Sequence, residues 1–230
     1  MKKPLGSTGK RASAEGPSSP LVLALPKGRV HQEAVSLFGR AGYDLSATLR
    51  ASRRLTHDCG DLRVLILRAQ DVPTYVEYGA ADLGVAGSDV LEEESRELYE
   101  PLNLGIGLCR MAVAEPMDRP VDEAGQVHVK IATKYPHCTQ RYLAERGLTA
   151  EVIKLYGSVE LGPLVGLCDR IVDLVSTGET LRQHGLHEVD PIMDVTSRLV
   201  VNRASLKLRG HEIDAVVARL RMALKRPARA

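Results

Sequence analysis

From Leu21 onward, short apolar runs alternate with runs of helical character, and this alternation restricts the chain to sheets covered by helices. Ile171, Val172, Leu174 and Val175, for example, are the aliphatic and β-branched residues that suit a strand buried on both faces. The pattern predicts strands at Leu21 to Leu25, Arg63 to Leu67, Asp82 to Val85, Leu104 to Ala114, Lys130 to Ala132, Glu151 to Lys154, Ile171 to Val175 and Ile192 to Val201. Helices are predicted at His31 to Ala41, Val72 to Tyr78, Val90 to Glu94, Cys138 to Arg146, Val159 to Cys168, Thr180 to His184 and His211 to Lys225. The last of these carries Ile213, Val216, Val217, Leu220 and Leu224 at helical spacing, an apolar face expected to pack on the chain's own core. The class is therefore α/β, with mostly parallel sheet.

A chain of 230 residues can hold one large domain or two lobes. Glu115 to Gln126 is rich in Pro, Asp, Glu and Gly, which marks an exposed connection after an unusually long strand. That strand and the later one near Val195 are the expected crossings between lobes. Residues 20–109 plus 191–230 would form one lobe and residues 110–190 the other. Residues 1–19 hold Lys, Gly, Ser, Pro and Ala with almost no apolar run, and are expected to be a disordered tail without the hydrophobic segment of a secretory signal.

Composition excludes several classes. One Phe and no Trp leave a core of Leu, Val, Ile and Ala, unlike an aromatic-rich carbohydrate or single-strand nucleic-acid binder. A net charge of +2 gives no global field for nucleic acid. Cys59, Cys109, Cys138 and Cys168 are too scattered for a zinc knuckle or redox dithiol and read as reduced thiols of a cytoplasmic protein. The one close histidine pair, His184 and His187, is interrupted by Gly185, so no protein metal site is expected. No apolar stretch reaches membrane-spanning length.

The richest motif is Asp173-Leu174-Val175-Ser176-Thr177-Gly178-Glu179-Thr180-Leu181, a buried strand running into hydroxyls, a glycine and a helix start. Free N–H groups and the helix dipole at such a junction attract an anion. Ser176, Thr177 and Thr180 can donate hydroxyls to one phosphate, while Gly178 permits close approach to the backbone. Asp173 fits the vicinal hydroxyls of a sugar, or indirect support of a magnesium ion. The same residues also suit a plain Ser/Thr-capped helix after a buried strand.

Basic groups stand at other strand ends. In Ala24-Leu25-Pro26-Lys27-Gly28-Arg29, Pro26 stops the strand, and Lys27 and Arg29 suit a polyphosphate or a solvated turn. Arg53-Arg54 adds charge, and Arg68 ends the run Val64 to Leu67 with a guanidinium able to grip phosphate oxygens in a bidentate way. Gly87-Ser88-Asp89 opens a helix and reads as an anion-compatible turn or a simple cap. Glu160 follows Gly157-Ser158 in a helix start. The returning strand can bring Glu160 and Asp173 to one cleft.

The segments ALPKGR, DVPTYVEYGAADLGVAGSDVL, IATKYP, VIKLYGSVELGPLVGLCDRIVDLVSTGETL and SRLVVNRAS resemble the catalytic subunit of the ATP phosphoribosyltransferase family, in its short form, from about Leu21 to Leu224. The resemblance implies two α/β lobes around a cleft, like type II periplasmic binding proteins. It implies transfer of the phosphoribosyl group of phosphoribosyl pyrophosphate to N1 of the ATP adenine, the first step of histidine biosynthesis, with magnesium accompanying the pyrophosphate. Ser176, Thr177, Gly178, Glu179 and Thr180 would then hold the 5-phosphate, with Asp173 and Glu160 near the ribose hydroxyls. Lys27, Arg29 and Arg53 would serve the pyrophosphate and the ATP phosphates. The short form implies a homodimer joined by a separate regulatory subunit resembling a histidyl-tRNA synthetase. The sequence departs from the family at Ser88, where Lys is common, and at Gly162 and Cys168. Cys109 is read as a structural thiol rather than a lining of the adenine pocket. A solute-binding module and a phosphoribosyltransferase for another base are the rival readings.

Overall fold

The computed structural model describes residues 19–50, 53–121 and 128–225. All but Ser19 of the expected tail, and residues 122–127 of the expected connection, lie outside the described residues. Two sheets organise the rest. The first has the order β2-β3-β1-β4-β11-β5, built from β1 (Leu21–Pro26), β2 (Thr56–Cys59), β3 (Leu62–Leu67), β4 (Leu83–Gly87), β5 (Tyr99–Asn103) and β11 (Ser197–Val201). The second has the order β10-β6-β9-β7-β8, built from β6 (Cys109–Pro116), β7 (Val129–Thr133), β8 (Ala150–Lys154), β9 (Arg170–Val175) and β10 (Leu186–Val195).

The first sheet is parallel at its centre and antiparallel toward both edges, and the second is parallel at its β8 end and antiparallel at its β10 end. β1 runs parallel to β3 and β4, and β7 parallel to β8 and β9. β2, β11 and β5 in the first sheet, and β6 and β10 in the second, pair antiparallel. The sheets are thus more mixed than expected. β2 and β5 are edge strands that periodicity passes over: Thr56-His57-Asp58-Cys59 is polar and partly exposed, and Pro101 in β5 is tolerated because an edge strand need not donate from every N–H.

The two long expected strands each split at a crossing between sheets. Gly105 (φ 59) and Gly107 (φ 67) hold residues 104–108 out of strand geometry, so only β6 remains of the first. Thr196 separates β10, which is bulged and contains Pro191, from β11 in the other sheet. β6 also runs past Ala114 to Pro116. Glu115, expected in an exposed connection, is buried there because the guanidinium of Arg170 donates to it at 2.7 Å.

Helices cover both faces of each sheet. In the first lobe α1 (Arg29–Arg40) and α8 (Gly210–Lys225) bury Leu37, Phe38, Ile213, Val216 and Leu220 against Leu23, Leu25 and Leu199. On the opposite face α2 (Val72–Glu77) and α3 (Ser88–Glu94) cover Ala24, Ala86 and Val200. A Cβ on Gly84 would lie 2.7 Å from Val76 Cγ2, so the close approach of α2 to β4 requires that glycine. In the second lobe α4 (Pro136–Arg146) covers one face, and α5 (Leu161–Leu164) and α6 (Glu179–Gln183) the other. α5 is shorter than expected, since Pro163 sits within it and Gly166 turns left-handed at φ 72 just beyond. The unforeseen α7 (Arg203–Leu208) starts on Asn202, whose side chain accepts from the Ser205 N–H at 2.8 Å.

Candidate active site

β1 ends at Pro26, where Gly28 adopts φ 93 so that the chain can turn directly into α1. That turn aims Arg29, the first residue of α1, across to the second lobe. Its guanidinium donates to Ser176 Oγ at 3.2 Å and to the Leu108 carbonyl at 3.2 Å. Glu33 steadies it at 3.4 Å and also accepts from the Gly107 N–H at 2.7 Å, tying α1 to the crossing segment. The first basic motif and the hydroxyl-rich motif, 147 positions apart in the chain, therefore touch.

β9 delivers the other wall. After Val175 the chain exposes Ser176 and Thr177, turns left-handed at Gly178 (φ 76) and enters α6. Thr177 Oγ1 lies 3.4 Å from the Glu179 amide, and Thr180 is exposed in the first turn. Glu179 faces its own helix, paired with Arg182 at 2.8 Å and bonded to Gln183 at 3.3 Å, and Arg182 lowers its pKa. Among the hydroxyl loop residues, its carboxylate is thus already engaged.

Asp173 is 8% exposed, and the Lys134 ammonium stands 3.2 Å from it. Burial raises its pKa, Lys134 opposes that rise, and the Glu160 carboxylate adds to it. Lys134 escaped the sequence reading, although it follows β7 as Lys27 follows β1. Applying the strand-end rule there would have found it.

A cleft of about 350 Å³ lies between the lobes, with Lys27, Arg29, Lys134 and Tyr135 on its polar side and Val30, Leu174 and Val195 among its apolar walls. Cys109 also lines it, half-buried, contrary to a purely structural role; burial raises its pKa first, and Asp89 adds to that rise. No two of the four cysteines are joined in a disulfide. Lys27 also borders a second hollow of about 490 Å³ that is lined by Arg50, Arg53, Arg54, His31 and His57. His31 is bonded to Thr48 at 2.9 Å and has its pKa lowered by burial, and the three arginines and Lys27 supply positive charge to the hollow. Arg53 therefore belongs to this neighbouring basic hollow rather than to the cleft itself. Arg68 lines neither; it is exposed beside Ala69 and Gln70, which do line the cleft.

Asp89 was legible only as a possible cap. Gly87 is the residue before α3, and Asp89 is instead buried, accepting from the Tyr135 hydroxyl at 2.9 Å. Tyr156 was not singled out either; it is exposed at the cleft mouth, with Lys154 5.7 Å from its ring centre.

The HisG family model, described as ATP phosphoribosyltransferase, matches residues 68–222. The chain belongs to the ATP phosphoribosyltransferase family. It is accordingly an enzyme, a transferase of the HisG type. An ATP phosphoribosyltransferase of Geobacter metallireducens is 53% identical over 201 residues, covering 86% of this chain and 95% of the relative. One of Acidithiobacillus ferrooxidans is 54% identical over 208 residues, covering 88% and 97%. Among solved structures, the ATP phosphoribosyl transferase (HisG:HisZ) complex from Thermotoga maritima superposes with a TM-score of 0.76 at 34% identity, covering 89% of this chain and 98% of that one. A substrate-binding protein of an amino acid ABC transporter, with a TM-score of 0.55 at 13% identity, covers 88% and 92% and shares the fold alone. The two-lobed, binding-protein-like architecture of this ATP phosphoribosyltransferase family member is that of the sequence expectation. No helix among the described residues is long and apolar enough to cross a membrane.

Proposed function

We propose that the cleft transfers the phosphoribosyl group of phosphoribosyl pyrophosphate to N1 of the adenine of ATP, the first step of histidine biosynthesis. The observation that carries this reading is the Arg29 to Ser176 hydrogen bond. It joins a polyphosphate-type cation turn on one lobe to a phosphate-type hydroxyl loop on the other, across a cavity of substrate size. Ser176, Thr177 and Thr180, with the amides around Gly178, hold the 5-phosphate. Glu179 contributes by bracing α6 through Arg182. Asp173 and Glu160 accept from the ribose hydroxyls, and Lys134 opposes the rise in pKa that burial imposes on Asp173.

As the adenine nitrogen lone pair forms the new bond to the anomeric carbon, the bond from that carbon to the pyrophosphate oxygen breaks, and its electron pair leaves with pyrophosphate. Lys27 and Arg29 stand where that negative charge grows, and Arg53 extends the same field into the neighbouring hollow for the outer phosphates. The nucleophile belongs to the substrate, so positioning and charge neutralisation carry the rate. Arg68, at the rim, assists capture of the polyanions.

Magnesium enters with the pyrophosphate, as part of the substrate. Among the described residues no three His, Cys, Asp or Glu side chains gather to hold an ion. One or two carboxylates such as Asp173 and Glu160 suffice beside phosphate oxygens. The cytoplasm, where both substrates occur, is the proposed location, and the proposed assembly is a homodimer that joins a HisZ-type regulatory subunit resembling a histidyl-tRNA synthetase. The HisG:HisZ complex of the Thermotoga maritima relative supports the second half of that reading.

Pyrophosphate release from phosphoribosyl pyrophosphate, ATP and magnesium tests the proposal. Thr177→Ala is expected to reduce turnover by about a hundredfold, as loss of one pre-organised donor does. Turnover that does not require ATP, or that ignores the substitution, would exclude it. Silence of the chain alone is resolved by adding the HisZ-type subunit: restored turnover supports the reading, and continued silence favours a binding module.

A further inference from the structure

α3 of the first lobe lies against the N-terminus of α4 in the second. Glu93 reaches across with both carboxylate oxygens, accepting from the His137 N–H at 3.1 Å and from the Cys138 N–H at 3.0 Å. These first-turn amides have no acceptor within their own helix. A helix of one lobe is thus capped by a carboxylate of the other. The Asp89 to Tyr135 hydrogen bond joins the same two elements nearer the cleft, and Arg141 meets Glu92 at 2.7 Å on the solvent side.

The other end of α3 is tied to the return crossing. The Ser88 N–H donates to the Thr196 carbonyl at 2.9 Å, and the Thr196 N–H donates to Ser88 Oγ at 3.2 Å. Lys134 is the residue just before Tyr135, and Thr133 Oγ1 accepts from the Tyr135 N–H at 2.9 Å while donating to the Val172 carbonyl at 2.8 Å. The backbone that carries Lys134 is therefore held between β9, which bears Asp173, and the first lobe.

We propose that Glu93, Asp89 and Tyr135 form a clasp between the lobes that positions Lys134 against Asp173, so that the ribose end of the cleft is complete only while the clasp is closed. The inference rests on the role given above to Asp173. Glu93 acts through the backbone it caps and is a positioning residue, not a catalytic one.

Kinetics and thiol labelling test the clasp separately. Glu93→Ala is expected to raise KM for phosphoribosyl pyrophosphate about tenfold, the equivalent of one charge-assisted hydrogen bond, with KM for ATP changed less than about twofold. Glu93→Gln, which keeps one acceptor oxygen, should recover part of the loss. Lys134→Met combined with Glu93→Ala should be no worse than Lys134→Met alone; losses that multiply would overturn the proposal. The second readout needs no turnover. The Cys138 thiol is buried beside Glu93, and burial first, then Glu93, pushes its pKa up to about 12. Maleimide labelling read by peptide mass should accelerate at Cys138 in Glu93→Ala but stay unchanged at Cys168, which is buried on the opposite face of the same sheet. Unchanged labelling of Cys138 overturns the clasp, and equal acceleration at Cys168 reveals unfolding and overturns it as well. If the unsubstituted enzyme releases no pyrophosphate even with the HisZ-type subunit added, the reaction reading falls while the labelling still decides the clasp.

Discussion

Asp89, which lines the cleft, and Asp173, which pairs with the cleft residue Lys134, are both buried carboxylates, and their neighbours treat them differently. Asp173 has an ammonium at 3.2 Å, whereas the direct side-chain partner of Asp89 is a phenol at 2.9 Å. Burial raises both above the ordinary 3.8, and Asp89 lacks the cation that would offset it. A raised folded-state pKa penalises the ionised form. Stability should therefore fall as pH rises from the ordinary carboxylate value through the raised one. Asp89→Asn keeps an acceptor for Tyr135 and removes the charge, so its urea midpoint should match the parent near pH 4 and equal or exceed it near pH 7. A midpoint lower at pH 7 than at pH 4, relative to the parent, would show that the ionised form is favoured. Asp173 was legible because it lies in a strand that runs into a hydroxyl cluster. Asp89 was not, since its partner lies 46 positions away and no local pattern reports it.

At the scale of elements, strands buried on both faces announce themselves, whereas β2 and β5 at the edges of the first sheet do not. β1 and β9 read as strands because nearly every side chain is covered. β2 and β5, each paired on one side only, contain His, Asp, Glu and Pro that follow no apolar period. Packing distance is likewise invisible along the chain. No pattern around Gly84 signals it, yet α2 needs its missing Cβ. Gly84→Ala should cost about 1–3 kcal/mol through overpacking against Val72 and Val76, measured by chemical denaturation. A loss under about 0.5 kcal/mol would mean that α2 shifts away freely.

For the whole molecule, a cleft whose walls come from two sheets must close around its substrate for the opposed charges to act on it together. Phosphoribosyl pyrophosphate with magnesium should shrink the radius of gyration in small-angle scattering, and Arg29→Ala, which removes the Ser176 contact, should weaken that response. An unchanged radius would indicate that the lobes are already closed without ligand. The sequence by itself determined the α/β class, the hydroxyl loop at Ser176 to Thr180 and the cations at Lys27 and Arg29, because strand burial and helix-start chemistry are local and leave periodic or clustered residues. Only the tertiary structure decided that Arg29 meets Ser176, that Lys134 guards Asp173, that Arg53 faces a separate hollow and that Glu93 caps a helix of the other lobe. Those relations depend on how two sheets are turned toward each other by the crossings at residues 104–108 and Thr196, and no spacing along the chain records that angle.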